Sequence, residues 1–232
     1  MTYGGIYRDV YLEIREKTYI EDIFVKTKLQ QEHQAQLWIE NTLSSKEEGY
    51  EVCYFLCKCG STVEQSLGED KGNNRSIYQV EEIEVWDTEH PVLYELHTRL
   101  QYQGKCLEEK TTVFGFRECE FRADGCYLNG KKIKLRGLNR HQSYPYVGYA
   151  MPASMQRYDA DILKKELAVN AVRTSHYPQS QEFINRCDEL GLLVFTEIPG
   201  WQHIGDEAWK EQAVKNVEEM ILQYRNHPSI IL

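Results

Sequence analysis

The sequence predicts a multidomain chain that combines an all-β domain with an α/β domain. From Asp9 to Arg117, short segments that alternate apolar and polar residues are separated by turn-forming stretches, which is typical of antiparallel strands. After Phe121, strand-like and helix-like segments alternate, which indicates a parallel sheet with right-handed crossovers. The change of rhythm near Phe121 therefore separates two kinds of fold.

The first half contains seven segments that we predict to be strands. Turn-forming stretches such as SSKEEG, GEDKGNN and DTEHP separate them. About seven short strands in about a hundred residues are typical of an immunoglobulin-like β-sandwich. Nothing in this half gathers catalytic residue types, so we expect a scaffold. The predicted strands read VYLEIREK, YIEDIFVKTKL, AQLWIENTL, YEVCYFLCKC, RSIYQVEEIEVW, PVLYELHTRLQY and EEKTTVFGFR.

The second half opens with the stretch GCYLNGKKIKLRGLN. Its Asn129-Gly130 pair predicts a hairpin turn, and the hairpin is expected to feed a strand from Ile133 to Leu138. The next stretch, PASMQRYDADILKKELAV, carries apolar residues at helical spacing, and Ser154 is a suitable N-cap. We therefore expect a first strand and a first helix here.

The remaining segments continue the alternation of strands and helices. NAVRTS and LLVFTEI predict strands, with the helix SQEFINRCDELG between them, which Gly191 should end. A third helix is expected from about Glu207 to Tyr224, followed by a last strand, SIIL. Four strands with three helices in this order are half of an eight-stranded barrel or the core of a smaller doubly wound sheet.

Polar residues gather at the carboxyl end of each of the first three predicted strands. They are Asn139-Arg140-His141, the run from Arg173 to Tyr177, and Glu197. In a β/α barrel this end of the strands builds the active site. A doubly wound sheet would usually place a Gly-rich phosphate loop after its first strand, and GLNRHQSYPYVG is not one. The barrel is the favoured interpretation.

Composition excludes several classes of protein. The 232 residues carry a formal net charge of −9, which argues against a nucleic-acid partner. No apolar run approaches the length of a membrane span, and the first residues lack the apolar core of a signal peptide. The seven cysteines predict unpaired thiols and a cytoplasmic location. Cys53, Cys57 and Cys59 are interpreted as packed thiols rather than as metal ligands.

Three long stretches of the second half resemble glycoside hydrolase family 2, which holds β-galactosidases, β-glucuronidases and β-mannosidases. The matching stretches are LNGKKIKLRGLNRHQSYPYVG, NAVRTSHYPQSQEFINRCDELGLLVFTEIPGW and YRNHPSIIL. GGIYRDVYL and VFGFR resemble the domain passages of that family. The resemblance implies an immunoglobulin-like β-sandwich followed by the N-terminal half of a TIM (β/α)8 barrel.

The resemblance also implies domain limits and the place of the catalytic residues. Residues 1–10 would be the last strand of an N-terminal jelly-roll domain, 11–117 the sandwich, and 118–232 the half barrel. In the family, NHPSIIL leads into the segment that carries the acid/base glutamate, and the nucleophile follows later. Both glutamates are expected after Leu232, so we expect a fragment that is inactive by itself.

Roles in a substrate site are expected for six residues of this chain. The resemblance implies that His141 and His176 bind the substrate by hydrogen bonds. Trp201 is expected to bind it by stacking on a sugar face, with a rim or core tryptophan as the alternative. Arg173 resembles the arginine that bonds the nucleophilic carboxylate and lowers its pKa. Supporting roles are expected for Asn139, which shapes the loop after the first strand, and for Glu197, as a partner of Arg173 or His141.

Cofactor and substrate predictions follow from the same resemblance. Some members bind magnesium through a Glu-x-His pair after the third strand, but this chain reads EIPGWQHIGDE there, with His203 and no such pair. No cofactor is therefore expected. Members of the family often have a Glu at the position of Gln142, so any role of that carboxylate is missing from this chain. The expected partner is a β-linked oligosaccharide or glycoside, cleaved by a homo-oligomeric retaining β-galactosidase. A β-glucuronidase and a non-catalytic carbohydrate-binding or scaffold module are the alternatives.

Overall fold

The computed structural model describes residues 4–30, 33–45, 48–70 and 74–232. None of the helices in these ranges combines the length and apolar character that a membrane span requires. The chain divides into two compact units, and each has its own hydrophobic core. The sandwich unit comprises Leu12–Glu120 and Tyr127–Lys131, whereas the parallel-sheet unit comprises Met1–Tyr11, Phe121–Cys126 and Lys132–Leu232.

In the described part of the sandwich unit, seven strands form two antiparallel sheets. One sheet has the strand order β1-β2-β5 and the other has the order β4-β3-β6-β7. The predicted two-sheet sandwich is confirmed. The strands are β1 (Ile20–Leu29), β2 (Ala35–Leu43), β3 (Tyr50–Lys58), β4 (Gln65–Asp70), β5 (Arg75–Val80), β6 (Tyr94–Tyr102) and β7 (Lys105–Phe114).

The sandwich core forms because alternate residues of each strand face inward. Leu37 and Ile39 of β2 and Leu96 and Leu100 of β6 are fully buried. Burying each such side chain contributes about 1.5–3 kcal/mol to the free energy of folding. Burial of these inward-facing side chains therefore stabilises the packing of the strands in the sandwich.

Two predictions for the sandwich are wrong. VYLEIREK forms no strand in the structure, and Val10, Leu12 and Ile14 are 77%, 89% and 90% exposed. The sequence predicts a turn at GEDKGNN, but Gly68 to Asp70 belong to β4. Pairing with β3, which aligns Val52 with Asp70, holds this polar segment in the sheet. The rest of that predicted turn, residues 71–73, lies outside the described residues.

Three short strands form a meander whose residues are divided between the two units. The predicted Asn129-Gly130 turn lies between its second and third strands, and the two residues have φ of 50° and 75°. A two-residue hairpin needs these positive values, so the hairpin prediction is confirmed. The strands are β8 (Cys119–Arg122), β9 (Gly125–Leu128) and β10 (Lys131–Ile133).

The parallel-sheet unit alternates strands and helices, as the sequence predicts. Its three strands are parallel and lie in the order β11-β12-β13. The elements are β11 (Gly137–Asn139), α1 (Ala153–Asp161), a π-helical turn (Ile162–Glu166), β12 (Ala171–Arg173), α2 (Gln181–Leu190), β13 (Leu193–Phe195) and α3 (Glu207–Tyr224).

The first strand of this sheet begins later than the sequence predicts. β10 ends at Ile133, and β11 begins only at Gly137, so the continuous strand predicted from Ile133 to Leu138 is wrong. β11 lies so close to β12 that a Cβ on Gly137 would come within 2.4 Å of the carbonyl oxygen of Ala171. The absence of a side chain at Gly137 therefore permits this strand pair.

The helix ends follow the local sequence with one exception. Gly191, with φ of 66°, ends α2 as predicted. The carboxylate of Asp206 caps α3 by accepting a hydrogen bond from the N–H of Trp209. Ser154 is not the N-cap of α1, since the helix begins at Ala153 and Pro152 occupies the cap position. A proline residue before the first turn fits because its own nitrogen carries no hydrogen to satisfy.

The final segment, SIIL, lies beside β13 as a short parallel bridge instead of a regular strand. Val194 N–H donates to the carbonyl of Ser229 at 2.8 Å, and Thr196 N–H donates to that of Leu232 at 2.8 Å. The buried carboxylate of Asp188 in α2 accepts from Ser229 N–H at 3.0 Å. The segment is thus fixed from both the sheet and the helix.

Candidate functional site

The carboxyl ends of the three parallel strands lie at one edge of the sheet. Asn139 of β11 is aligned with Arg173 of β12, which is aligned with Phe195 of β13. The residues that follow these ends therefore emerge side by side. His141, His176 and Glu197 all come from this edge, as the sequence predicts.

Glu197 joins two of the predicted site residues. Its Oε1 accepts a hydrogen bond from Arg173 Nε, and its Oε2 lies 3.1 Å from His176 Nδ1. Arg173 Nη2 is also 3.5 Å from the same imidazole nitrogen. The carboxylate thus holds the guanidinium and the imidazole together. The structure therefore pairs Glu197 with Arg173 and His176. The sequence predicts Arg173 or His141 as its partner.

The contact with Glu197 fixes the hydrogen position on His176. A carboxylate only accepts hydrogen bonds, so Nδ1 of His176 must carry the hydrogen. The other ring nitrogen, Nε2, is then left as an acceptor in the neutral imidazole. A sugar hydroxyl, which is both donor and acceptor, is a suitable partner for a nitrogen of this kind.

Two aromatic contacts extend the cluster to His141 and Trp201. The ring centroids of His141 and His176 are 5.5 Å apart in an edge-to-face arrangement. Trp201 stacks on the imidazole of His176, with centroids 5.4 Å apart and an interplanar angle of 25°. Trp201 remains 70% exposed. The structure thus brings together Arg173, His176, Glu197 and the two flanking rings.

A cleft of about 470 Å³ lies beside this cluster in the parallel-sheet unit. Arg173, Glu197 and Trp201 line one part of the cleft. The remaining lining is largely apolar, and a mixture of apolar walls with a few polar groups is typical of small-molecule sites. The other lining residues are Thr196, Ile198, Pro199, Gly200, His203, Ile204, Trp209, Val217 and Met220.

His203, which has no Glu-x-His partner in the sequence, contacts an aromatic ring. Its imidazole lies edge-on to Trp209, with centroids 5.7 Å apart. Within residues 4–30, 33–45, 48–70 and 74–232, no group of three or more His, Cys, Asp or Glu side chains is placed to hold a metal ion. No disulfide bond joins any of the seven cysteines, all of which lie within the described residues.

The side chain of Arg140 holds the loop after β11 through contacts with two helices. Its guanidinium donates to Asp159 Oδ2 at 3.0 and 2.7 Å and to Gln156 Oε1 at 2.8 Å. It also lies 4.0 Å from the centroid of the buried Phe183 ring. Burial lowers the pKa of Arg140, and Asp159 opposes that shift. Arg140 therefore anchors the loop to α1 and α2, while Asn139 remains exposed on β11.

A contact between the loops after β11 and β12 is not among the sequence-based predictions. The backbone N–H of Gln142 donates to Tyr177 Oη at 3.3 Å. Burial raises the pKa of Tyr177, and a hydrogen bond with Tyr149 raises it further. The peptide bond between Ser175 and His176 is cis. A buried polar run after each strand signals such contacts, but it does not identify the pairs.

Comparison with known proteins gives two matches to one family. The family model described as "Glycosyl hydrolases family 2" matches residues 18–117. The model described as "Glycosyl hydrolases family 2, TIM barrel domain" matches residues 119–232. Together with the two sheets and the alternating unit, these matches confirm the predicted sandwich followed by the start of a TIM barrel.

Named relatives cover the whole chain, but the chain covers only part of them. A β-galactosidase of Thermoanaerobacter pseudethanolicus is 47% identical over 100% of this chain and 32% of its own length. A putative β-glucuronidase of Formosa agariphila is 37% identical over 99% of this chain and 28% of its own length. The chain thus spans about a third of the length of these relatives.

A solved structure extends the similarity to the fold. The crystal structure of a β-glycosidase from Bacteroides vulgatus matches with a TM-score of 0.87 and 30% sequence identity. The match covers 98% of this chain and 31% of the solved chain. The similarity therefore includes both units described above.

Proposed function

Because this chain belongs to glycosyl hydrolases family 2, we propose that it supplies part of the substrate site of a retaining hydrolase that cleaves terminal β-galactosides. The clustering of His141, His176, Glu197 and Trp201 at the carboxyl ends of the parallel strands carries this proposal. The choice of galactosides is supported by the 47% identity to a β-galactosidase over the whole chain.

The proposed roles use the chemistry of each side chain. His176 and His141 hydrogen-bond the hydroxyls of the sugar, and Trp201 offers its exposed face to the apolar side of the ring. Arg173 lies at the strand end, where its charge favours the ionised form of a neighbouring carboxylate. Asn139 shapes the loop that carries His141.

Glu197 is proposed as a positioning residue and not as one of the two reacting carboxyl groups. A retaining glycosidase needs a nucleophile and an acid/base group about 5–5.5 Å apart across the scissile bond. Both oxygens of Glu197 are engaged, one by Arg173 and the other by His176. The reacting glutamates are proposed to follow Leu232, so the chain alone is expected to bind sugar without hydrolysing it.

Several further parts of the proposal concern the longer protein. We keep the domain limits 1–10, 11–117 and 118–232, with the first range as the end of a jelly-roll domain. A homo-oligomer is proposed as the assembly. The seven cysteines form no disulfide bond, which favours a reducing compartment, so a cytoplasmic location is proposed. No cofactor is assigned.

A β-glucuronidase is the second candidate, because a putative β-glucuronidase is 37% identical over 99% of this chain. The two candidates differ in the charge of the sugar, since a glucuronide carries a carboxylate. Residues that read this carboxylate would lie outside the cluster described here. Binding preference therefore separates the candidates.

Calorimetric titration of the chain with methyl β-galactoside and methyl β-glucuronide tests the proposal. We expect the galactoside to bind more tightly and the His176→Ala variant to bind it more weakly. His90→Ala is the matched control, because His90 is an exposed histidine of the sandwich unit. Preference for the glucuronide would select the second candidate. Galactoside binding that ignored His176→Ala would instead indicate a carbohydrate-binding module, and no binding of either sugar would contradict the proposal.

A further inference from the structure

Arg8 precedes the sandwich along the chain, but it belongs to the parallel-sheet unit. Its Nη2 donates to Gln142 Oε1, and its Nη1 donates to the carbonyl oxygen of Tyr149 at 3.2 Å. The guanidinium also lies 5.0 Å from the centroid of the Tyr7 ring. A single planar donor group therefore joins the N-terminal segment to two points of the loop that follows β11.

Gln142, a hydrogen-bond partner of Arg8, links the two chain segments that carry the site histidines. It is only 1% exposed, and it follows His141 in the chain. Its backbone N–H donates to the hydroxyl of Tyr177, which follows His176. The contact between Gln142 and Tyr177 thus connects the two loops one residue beyond the paired imidazoles. A displacement of Gln142 would reach His141 through one peptide bond.

The hydrogen bond from Arg8 also orients the side-chain amide of Gln142. The amide oxygen is the acceptor that faces the guanidinium, whereas the buried Nε2 has no hydrogen-bond partner within the described residues. A guanidinium has donors only, so a flipped amide would oppose two donor groups. The amide orientation therefore depends on Arg8. Burial lowers the pKa of Arg8, and nearby Tyr7 opposes the shift.

We propose that Arg8 is a positioning residue for the histidine pair. Through Gln142, it holds the loop after β11 against the loop after β12 and so fixes the spacing between His141 and His176. The hydrogen bonds of Arg8 within the described residues go to Gln142, Tyr149 and Tyr7 and not to either histidine, so Arg8 acts on the pair through the loop after β11. The consequence for sugar binding rests on the function proposed above, whereas the effect on the histidine spacing does not.

A double-mutant cycle tests the coupling between Arg8 and Gln142. In the presence of Arg8, Gln142→Glu supplies a charge-assisted hydrogen bond, so the urea midpoint of unfolding is expected to stay or rise. In the Arg8→Met background, the same substitution buries a carboxylate without its cation, so the midpoint is expected to fall. Equal effects of Gln142→Glu in both backgrounds would overturn the proposed coupling.

The spacing of the histidines is measured separately by nuclear Overhauser contacts between the ring protons of His141 and His176. We expect loss of these contacts in Arg8→Met and partial recovery in Arg8→Lys, because lysine keeps a charged donor but not the fork. Arg15→Met is the matched control, since Arg15 bonds Ile20 in the sandwich unit. Retained contacts in Arg8→Met would overturn the proposal even if stability fell.

A sugar-binding measurement on the unaltered chain and on Arg8→Met distinguishes this proposal from the proposed function. If the unaltered chain binds neither sugar but the histidine contacts still depend on Arg8, the proposed function fails and the positioning role of Arg8 stands. If the chain binds galactoside and Arg8→Met binds it as tightly as the unaltered chain, the positioning role fails. We expect Arg8→Met to weaken galactoside binding by about tenfold, which corresponds to about 1.4 kcal/mol.

Discussion

The ring of Trp201 stacks on the imidazole of His176, with the two centroids 5.4 Å apart. The same imidazole is held by a hydrogen bond, because Glu197 Oε2 accepts from its Nδ1 at 3.1 Å. The imidazole is thus oriented by a carboxylate and flanked by an exposed indole. This arrangement gives the first prediction.

Trp201→Ala should weaken sugar binding without unfolding the chain. Trp201 is 70% exposed, so its removal is expected to change the free energy of unfolding by less than about 0.5 kcal/mol. Loss of an aromatic contact of about 0.5–1.5 kcal/mol should weaken galactoside binding by about two- to tenfold in calorimetry. Trp38→Ala, in the sandwich unit, is the control. Unchanged affinity in Trp201→Ala would remove Trp201 from the site.

Gly137→Ala should disrupt the first pair of parallel strands. The added Cβ would lie 2.4 Å from the carbonyl oxygen of Ala171, and a backbone atom in a sheet cannot move away without cost. We expect a loss of about 3 kcal/mol in the free energy of unfolding, measured by urea denaturation. Gly4→Ala is the control, since no atom lies within 4 Å of its added Cβ. Equal stability of the two variants would contradict the register between β11 and β12.

Asp161→Asn should remove stability that is present at neutral pH and absent in acid. Hydrogen bonding to Arg186, and then to Lys165, lowers the pKa of Asp161 below its usual 3.8. A depressed carboxyl pKa stabilises the fold above the unfolded value and loses that effect as pH falls through the folded value. We expect the variant to lose about 0.5–1 kcal/mol at about pH 7 and nothing well below pH 3.8. A loss that persisted in strong acid would contradict this.

His97→Gln should show the opposite dependence on pH. Burial alone would lower the pKa of His97, but the carboxylates of Glu95 and Glu64 outweigh it and raise the value above 6.5. A raised histidine pKa stabilises the fold below the unfolded value, and the effect disappears as pH rises through the folded value. The variant should therefore be about 0.5–1 kcal/mol less stable below pH 6.5 and nearly equal in alkaline solution. A loss of stability of equal size in acid and in alkaline solution would contradict this prediction.

Local signals in the sequence explain which parts of the fold could be predicted. Gly191 ends α2 because a left-handed residue without a side chain stops a helix, and a glycine at that point is visible in the sequence. The β4 segment could not be found in this way. Its residues are polar, and only the partner strand β3 keeps them extended. Conversely, Val10, Leu12 and Ile14 alternate as a strand does but join no sheet in the described part of the chain.

Some contacts of the candidate site could also be predicted from the sequence, whereas contacts between residues far apart in the chain could not. Glu197 could be placed near Arg173 because the ends of neighbouring parallel strands share one edge. His176 follows Arg173 on the same strand end and therefore reaches the same carboxylate. The bond from Arg8 to Gln142 could not be predicted, because 134 residues separate the two positions and no periodic pattern relates them. Contacts of this kind depend on the tertiary fold alone.

The place of Arg8 in the parallel-sheet unit has a consequence for the order of folding. Leu12–Glu120 and Tyr127–Lys131 form the other unit, so that unit is complete once Lys131 has been synthesised. The segment before it must wait until Gln142 has left the ribosome. Closing a loop of this length costs entropy that grows only slowly with the number of residues, but it lengthens the search for the contact. The docking of Arg8 is therefore expected to be a late event in folding, after the sandwich has formed.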